Sequence, residues 1–226
     1  MPGRFMPHVE ASPLIDDVTW WVVDAAVRDV ATWRQRGCSI TVSVNVSVRN
    51  LHNLTLLRVL DEALARHGVA PDDVDVEITE SAVMDDFDHC VELIGRLRDR
   101  GFSVSIDDFG TGHSSLAYLK RLPVTKLKID QAFIRHLATD RRDQQITRSI
   151  IDLAAGLSLE SVAEGVEDQP STDMLRDWGC DYAQGNFLHP ASPFEEFTTW
   201  FEAGHRLRTA LGDPHPPSAH RRSPAR

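Results

Sequence analysis

Cysteine, positive charge and long apolar runs are all scarce in this 226-residue sequence. The three cysteines, Cys38, Cys90 and Cys180, are widely spaced and fit neither a zinc-ligand spacing nor a disulfide framework. They read as small core fillers, with a reducing cytoplasm as the expected compartment. Lys and Arg number 24 against 34 Asp and Glu, giving a formal net charge of -10. That balance argues against wrapping a nucleic-acid polymer, which calls for a basic face. It admits a small phosphorylated ligand, provided that metal ions bring the positive charge. No apolar run approaches membrane-spanning length and no signal peptide opens the chain, so a soluble protein without membrane contact is expected.

What is present is the composition of a globular domain, 42% hydrophobic and 26% charged, at a length suited to one domain with a tail. Residues 1–13 read as an entering loop, with prolines at 2, 7 and 13. A helix is expected from Asp16 to the stop at Gly37, with Val18, Trp21, Val22, Ala25 and Trp33 near helical spacing. Strands are then expected at 40–45, 74–79, 102–106, 126–130, 161–163 and 180–183. Between them lie helical patterns at 54–64, 87–97, 116–122 (opened by Ser114), 146–157 and 171–178, and a closing helix covers 194–211. Residues 212–226 are rich in Pro, His and Arg and read as a disordered tail. The alternation of strand and helix implies parallel β/α units. Six such units, and no residue-level repeat, leave two architectures: an open doubly wound sheet, or a β/α barrel without its beginning.

The chemistry-bearing residues fall at the carboxyl ends of the expected strands: Asn45, Glu77, Asp107 with Asp108, Lys128, Glu164 and Gln184. Parallel strands are covered on both faces and are mostly apolar, so chance placement of a polar group at every end is improbable. On a barrel those ends build the active site. Asp107 and Asp108 are followed by the Gly110-Thr111-Gly112 turn. Adjacent strand residues point to opposite faces, so this pair projects together only where the pleat breaks up. Two like charges that close need a cation, or one of them takes up a proton. The carboxylates and one amide form an all-oxygen set suited to Mg²⁺ or Mn²⁺, with no histidine at a strand end to suggest a softer metal. Two such ions could share a bridging carboxylate such as Asp107. Lys128 reads either as a point charge for a phosphate or hydroxide, or as an ion-pair partner of Asp130 or Asp108. Glu80 reads as an anchor for the Gly110–Gly112 turn and Glu167 as its counterpart after Glu164, each with a solvated loop charge as the alternative.

The segments Ser43-Val44-Asn45-Val46-Ser47, Glu77-Ile78-Thr79-Glu80-Ser81, Asp107-Asp108-Phe109-Gly110-Thr111-Gly112, Leu127-Lys128-Ile129-Asp130, Ala163-Glu164-Gly165-Val166-Glu167 and Gln184-Gly185, in this order, resemble the signatures of the EAL-domain family. The resemblance runs from about residue 5 to 196. It implies an α/β fold, a TIM-like (β/α) barrel with one antiparallel strand, and hydrolysis of the second messenger cyclic di-GMP to linear pGpG with two Mg²⁺ or Mn²⁺ ions. Carried over, it makes Asn45, Glu77, Asp107, Asp108 and Glu164 metal ligands, gives Lys128 the catalytic water, and has Gln184 position either water or the second-metal environment. Glu80 matches the family's loop-bracing glutamate. The sequence starts after the Glu-Ala-Leu motif, so the first two strands and first helix are expected to be missing. With them go a metal-ligating Glu and a phosphate-binding Arg, which leaves the substrate-binding residue unassigned and impaired catalysis expected. His113 stands in place of a Tyr, and Asn186-Phe187-Leu188 departs from the usual aromatic pattern. The alternative expectation is a module that binds cyclic di-GMP or a protein without turnover. A homodimer, and sensor or GGDEF-type domains upstream or in trans, are further expectations from the resemblance.

Overall fold

The computed structural model describes residues 6–10, 12–51, 53, 55–112 and 116–210. The chain forms two compact units, Met1–Pro190 and Ala191–Arg226. The first opens with a short helix, α1 (Met6–Glu10), where a loop was expected, and a long one, α2 (Leu14–Gln35). Six parallel strands then alternate with helices: β1 (Val42–Asn45), β2 (Val74–Thr79), β3 (Ser103–Phe109), β4 (Lys126–Ile129), β5 (Glu160–Ala163) and β6 (Tyr182–Ala183). They lie side by side in chain order, the arrangement of a barrel wall and not of a doubly wound sheet, whose order reverses part-way. The fold is α/β, an arc of the TIM-like barrel. Between strands run α3 (Val48–Leu51), α4 (Thr55–His67), α5 (Glu80–Asp85), α6 (Phe87–Asp99), α7 (Leu116–Leu119), α8 (Gln131–Ile134), α9 (Arg141–Gly156) and α10 (Gln169–Asp177). The second unit's described part contains α11 (Phe194–Ala210), close to the closing helix expected at 194–211. The expected tail at 212–226 lies outside the described residues, as do His113 and Ser114.

The strands sort their side chains by parity. Val44, Val76, Val104, Ile78, Ile106, Leu127, Ile129 and Ala163 are all buried and lie on one face by the pairing register. Helices α2, α6 and α9 pack against this wall at β1, β3, β4 and β5. The other face carries the polar residues. Asn45 pairs with Glu77, Glu77 with Ser105, Ser105 with Lys126, and Lys126 with Glu160. Thr79 stands beside Asp107, and Lys128 beside Val162.

Helix starts follow local chemistry. Side chains of Thr79, Asp86, Asp130, Asp140 and Asp168 each accept a backbone N–H in the first turn of α5, α6, α8, α9 and α10. On α2 the buried stripe is Ile15, Thr19, Val23, Val27, Val30 and Trp33, and Trp21 is exposed. The expected stripe through Val18, Trp21 and Val22 is displaced by about one position. Asn50 explains part of this: it accepts from Thr19 Oγ1 at 2.9 Å and donates to Asp16 at 2.7 Å, fixing which face of α2 turns inward.

Candidate active site

Lys128 is the hub of the polar face. Its side chain leaves β4 between buried Leu127 and Ile129 and is itself 4% exposed. The ammonium Nζ lies 2.5 Å from Glu164 Oε1, 2.7 Å from Glu77 Oε2 and 3.1 Å from Asp107 Oδ1. These partners stand at the ends of β5, β2 and β3, and are not the Asp130 or Asp108 that sequence proximity suggests. Burial alone pushes the Lys128 ammonium down, but Glu77, Glu164 and Asp107 together hold it above the ordinary lysine range.

Asp107 and Asp108 share the site because the backbone turns between them. Strand β3 continues past Ile106, where the sequence suggested an end, and its register against β4 shifts between Ile106 and Phe109. Asp108 sits at φ 55°, in the left-handed region that few non-glycine residues adopt, although Asp is among those favoured there. Oxygens of Asp107, Asp108 and Glu164 then all lie within 4.8 Å of one another. The Asp108 N–H donates to Asp107 Oδ1 at 3.0 Å. Burial, a hydrogen bond with Asp130, and the charges of Asp107, Asp130 and Glu164 push Asp108 up to about 6. Glu164 is also raised: burial pushes it up, Lys128 pulls it down, and Asp107 and Glu77 add to the rise.

Asp130, expected at the end of a strand as a possible partner of Lys128, belongs to this cluster through Asp108 instead. Its Oδ1 accepts the Ala132 N–H at 2.7 Å as the cap of α8, and it meets Asp108 across the site. The cap was not read from the sequence, and the partner suggested there, Lys128, gives way to Asp108.

Glu80, 4% exposed, accepts the Gly110 N–H at 3.0 Å, and a Cβ on Gly112 would lie 2.6 Å from its Oε1. The carboxylate therefore occupies the turn after the paired aspartates, and glycine at 112 gives it room. Glu167, expected to play the same part after Glu164, is exposed and makes no hydrogen bond to its loop among the described residues. Its side chain sits where a solvated loop charge would. Asn45 and Gln184 are exposed at the two margins of the polar face. Gln184 donates its backbone N–H to Ala163 at 2.8 Å, which carries it past the end of β6. One step deeper, buried Asp75 accepts from Ser105 and Ser43, and Lys126 Nζ lies 3.9 Å from its Oδ1.

Three carboxylates, Glu77, Asp107 and Glu164, surround one ammonium, and the fourth, Asp108, lies beside Asp107 and Glu164. Burial first, and the neighbouring carboxylates after it, raise the proton affinity of Asp108 and Glu164, and a bound cation would relieve the same crowding. The donor set is all oxygen. It fits hard divalent cations such as Mg²⁺ or Mn²⁺.

Comparison with known proteins shows the family. A family model described as the EAL domain matches residues 1–191. The chain belongs to the EAL-domain family. Its EAL region is 38% identical over 196 residues to the signaling protein YkoW of Bacillus subtilis, covering 87% of this chain and 24% of that protein. It is 40% identical over 196 residues to MucR of Pseudomonas aeruginosa, a bifunctional diguanylate cyclase/cyclic di-GMP phosphodiesterase, covering 86% of this chain and 29% of that protein. The chain thus spans about a quarter of the length of these curated relatives. Among solved structures, the PaMucR phosphodiesterase in complex with c-di-GMP superposes with a TM-score of 0.84 at 39% identity, covering 87% of this chain and 80% of that one. The EAL domain of Mycobacterium smegmatis DcpA gives a TM-score of 0.79 at 35% identity, with 83% and 85% covered.

Proposed function

We propose that this chain hydrolyses cyclic di-GMP to linear pGpG, using two hard divalent cations held by Asn45, Glu77, Asp107, Asp108 and Glu164. The observation that carries the reading is the Lys128 cluster: carboxylates from three strands converge on one ammonium at the carboxyl ends of a parallel wall. The likeness to MucR, whose solved phosphodiesterase is a c-di-GMP complex, supplies the substrate. No helix among the described residues is long and apolar enough to cross a membrane.

When bound, the cations would lower the pKa of the attacking water and neutralise charge on the phosphodiester. The chain's own groups do the rest. Asp107, central to the cluster, fixes the spacing of the ligands on either side. Lys128 presents an ammonium that holds the attacking oxygen or a phosphate oxygen in place. Gln184, past the end of β6, orients water from the margin. Glu80 holds Gly110 and so keeps Asp107 and Asp108 on one side of the turn. Attack at phosphorus breaks the bond to the 3′ oxygen and leaves a linear dinucleotide with a 5′ phosphate. Sensor or GGDEF-type domains, in the same polypeptide or in trans, are the partners we expect to control it; MucR carries both activities in one protein.

The test is chromatography of cyclic di-GMP incubated with the protein and Mn²⁺. Appearance of pGpG, lost in Asp107→Ala, supports the reading. Tight binding of the dinucleotide with no pGpG formed would replace it with that of a receptor.

A further inference from the structure

An ammonium has three donors, and those of Lys128 face three oxygens within 3.1 Å, one each from Glu77, Asp107 and Glu164. All three residues are in the set proposed to hold the cations. We propose that Lys128 is the built-in counter-cation of the metal-free site, which a divalent ion must displace from these oxygens, so that this one side chain sets the metal concentration at which the site loads. The inference deepens the proposed function and rests on its metal reading.

Three features of the site support it. First, the oxygens engaged by Nζ come from β2, β3 and β5, so the ammonium already occupies the point where the ligands converge. A second cation bound to the same oxygens would meet it at close range with little water to screen the repulsion, since Lys128 and Glu77 are 4% and 5% exposed. Second, without the ammonium the metal-free site would hold several mutually repelling carboxylates in a buried place, which folded proteins avoid by pairing or protonation. Lys128 therefore supports the fold in the absence of metal and opposes loading in its presence. Third, displacement needs no movement of the sheet. The Lys128 backbone is fixed by its neighbours Leu127 and Ile129, both 0% exposed, while its flexible four-carbon stem can turn the ammonium from the ligand oxygens toward a substrate phosphate. Metal loading would thus release the charge that the reaction uses.

The experiment is calorimetric titration of Mn²⁺ into metal-free protein without substrate, with thermal unfolding of the same samples in EDTA. Lys128→Met is expected to bind Mn²⁺ at least tenfold more tightly than the parent chain and to melt at a lower temperature in EDTA. Lys128→Gln, which keeps a polar group but no charge, serves the same purpose if the Met variant does not fold. Lys128→Arg keeps the charge and is expected to bind Mn²⁺ within about threefold of the parent. Equal or weaker binding by the uncharged variants overturns the proposal, and so does equal tightening by the Arg variant. If the parent and every variant bind no Mn²⁺, the metal reading itself fails and the inference with it.

Discussion

Replacing Asp108 by asparagine removes a charge from the most crowded part of the cluster with almost no change of shape. Asn also tolerates the left-handed backbone held there at φ 55°. In metal-free protein the Asp108 carboxyl titrates near 6 against an ordinary value of 3.8, because of burial, the bond to Asp130 and the neighbouring charges. The folded chain holds this proton more tightly than the unfolded chain does. The stability that comes with it is fully present below 3.8 and is lost as the pH rises through about 6. At full strength that difference corresponds to ~3 kcal/mol. Asp108 is partly open to water, and screening reduces the expected effect to ~1 kcal/mol. In EDTA, Asp108→Asn should therefore match the parent near pH 4 and exceed it by ~1 kcal/mol at pH 7.5, or roughly 2–4 °C in melting temperature for a chain of this size. Urea unfolding at a series of pH values measures the difference directly, and taking variant minus parent cancels the other titrating groups. Adding Mn²⁺ should reverse the order, since the parent then gains a ligand that the variant lacks. A variant less stable than the parent in EDTA at pH 7.5 would refute the reasoning, because the carboxylate would then be contributing attraction and not repulsion.

Other positions give sharper single outcomes. Asp130→Asn should keep the cap on α8, since Asn caps as well as Asp, while lowering the Asp108 titration, read by carboxyl NMR in metal-free protein. Glu80→Ala removes a buried carboxylate that accepts the Gly110 N–H; it should destabilise the chain by ~1.5–3 kcal/mol in urea unfolding and reduce activity or metal affinity about 10–100-fold. Gly185→Ala would place a Cβ 2.1 Å from the Val166 carbonyl oxygen. Backbone cannot yield there as a side chain would, so we expect a loss of ~1–3 kcal/mol or more, seen as a lower melting temperature.

Legibility in the sequence followed the strength of local periodicity. Strand β2 was readable at both ends because Val74, Val76 and Ile78 alternate without interruption before the Thr79 cap. Strand β3 appeared to end at Ile106, since two carboxylates and a glycine turn look like a loop; its extension to Phe109 depends on a register shift against β4 that only the folded sheet reveals. The short helices α1, α5 and α8 are at most six residues long, too brief for a 3.6-residue period to register. The start of α9 was placed late because its first turn is charged and the signal lies in the Asp140 cap. Within the site, position at strand ends singled out the residues that the polar face collects, but their partners depend on the stagger between strands. Thus Lys128 meets Glu77, 51 positions earlier in the chain, and not its sequence neighbours. Asp130 looks from the sequence like a partner of Lys128, and the fold turns it to Asp108 instead.

The separation of apolar and charged side chains by strand parity also bears on how the chain folds. A slip of one residue in β2, β3 or β4 would turn Glu77, Asp107 or Lys128 toward the helices and bring Ile78, Ile106 or Leu127 to the open face. Each such misalignment buries an uncompensated charge in hydrocarbon, so incorrectly aligned strands are heavily penalised before any ligand is present. The residues assembled for chemistry thereby act as alignment marks during assembly, and a variant stripped of them would be expected to fold less faithfully even where its apolar wall is untouched.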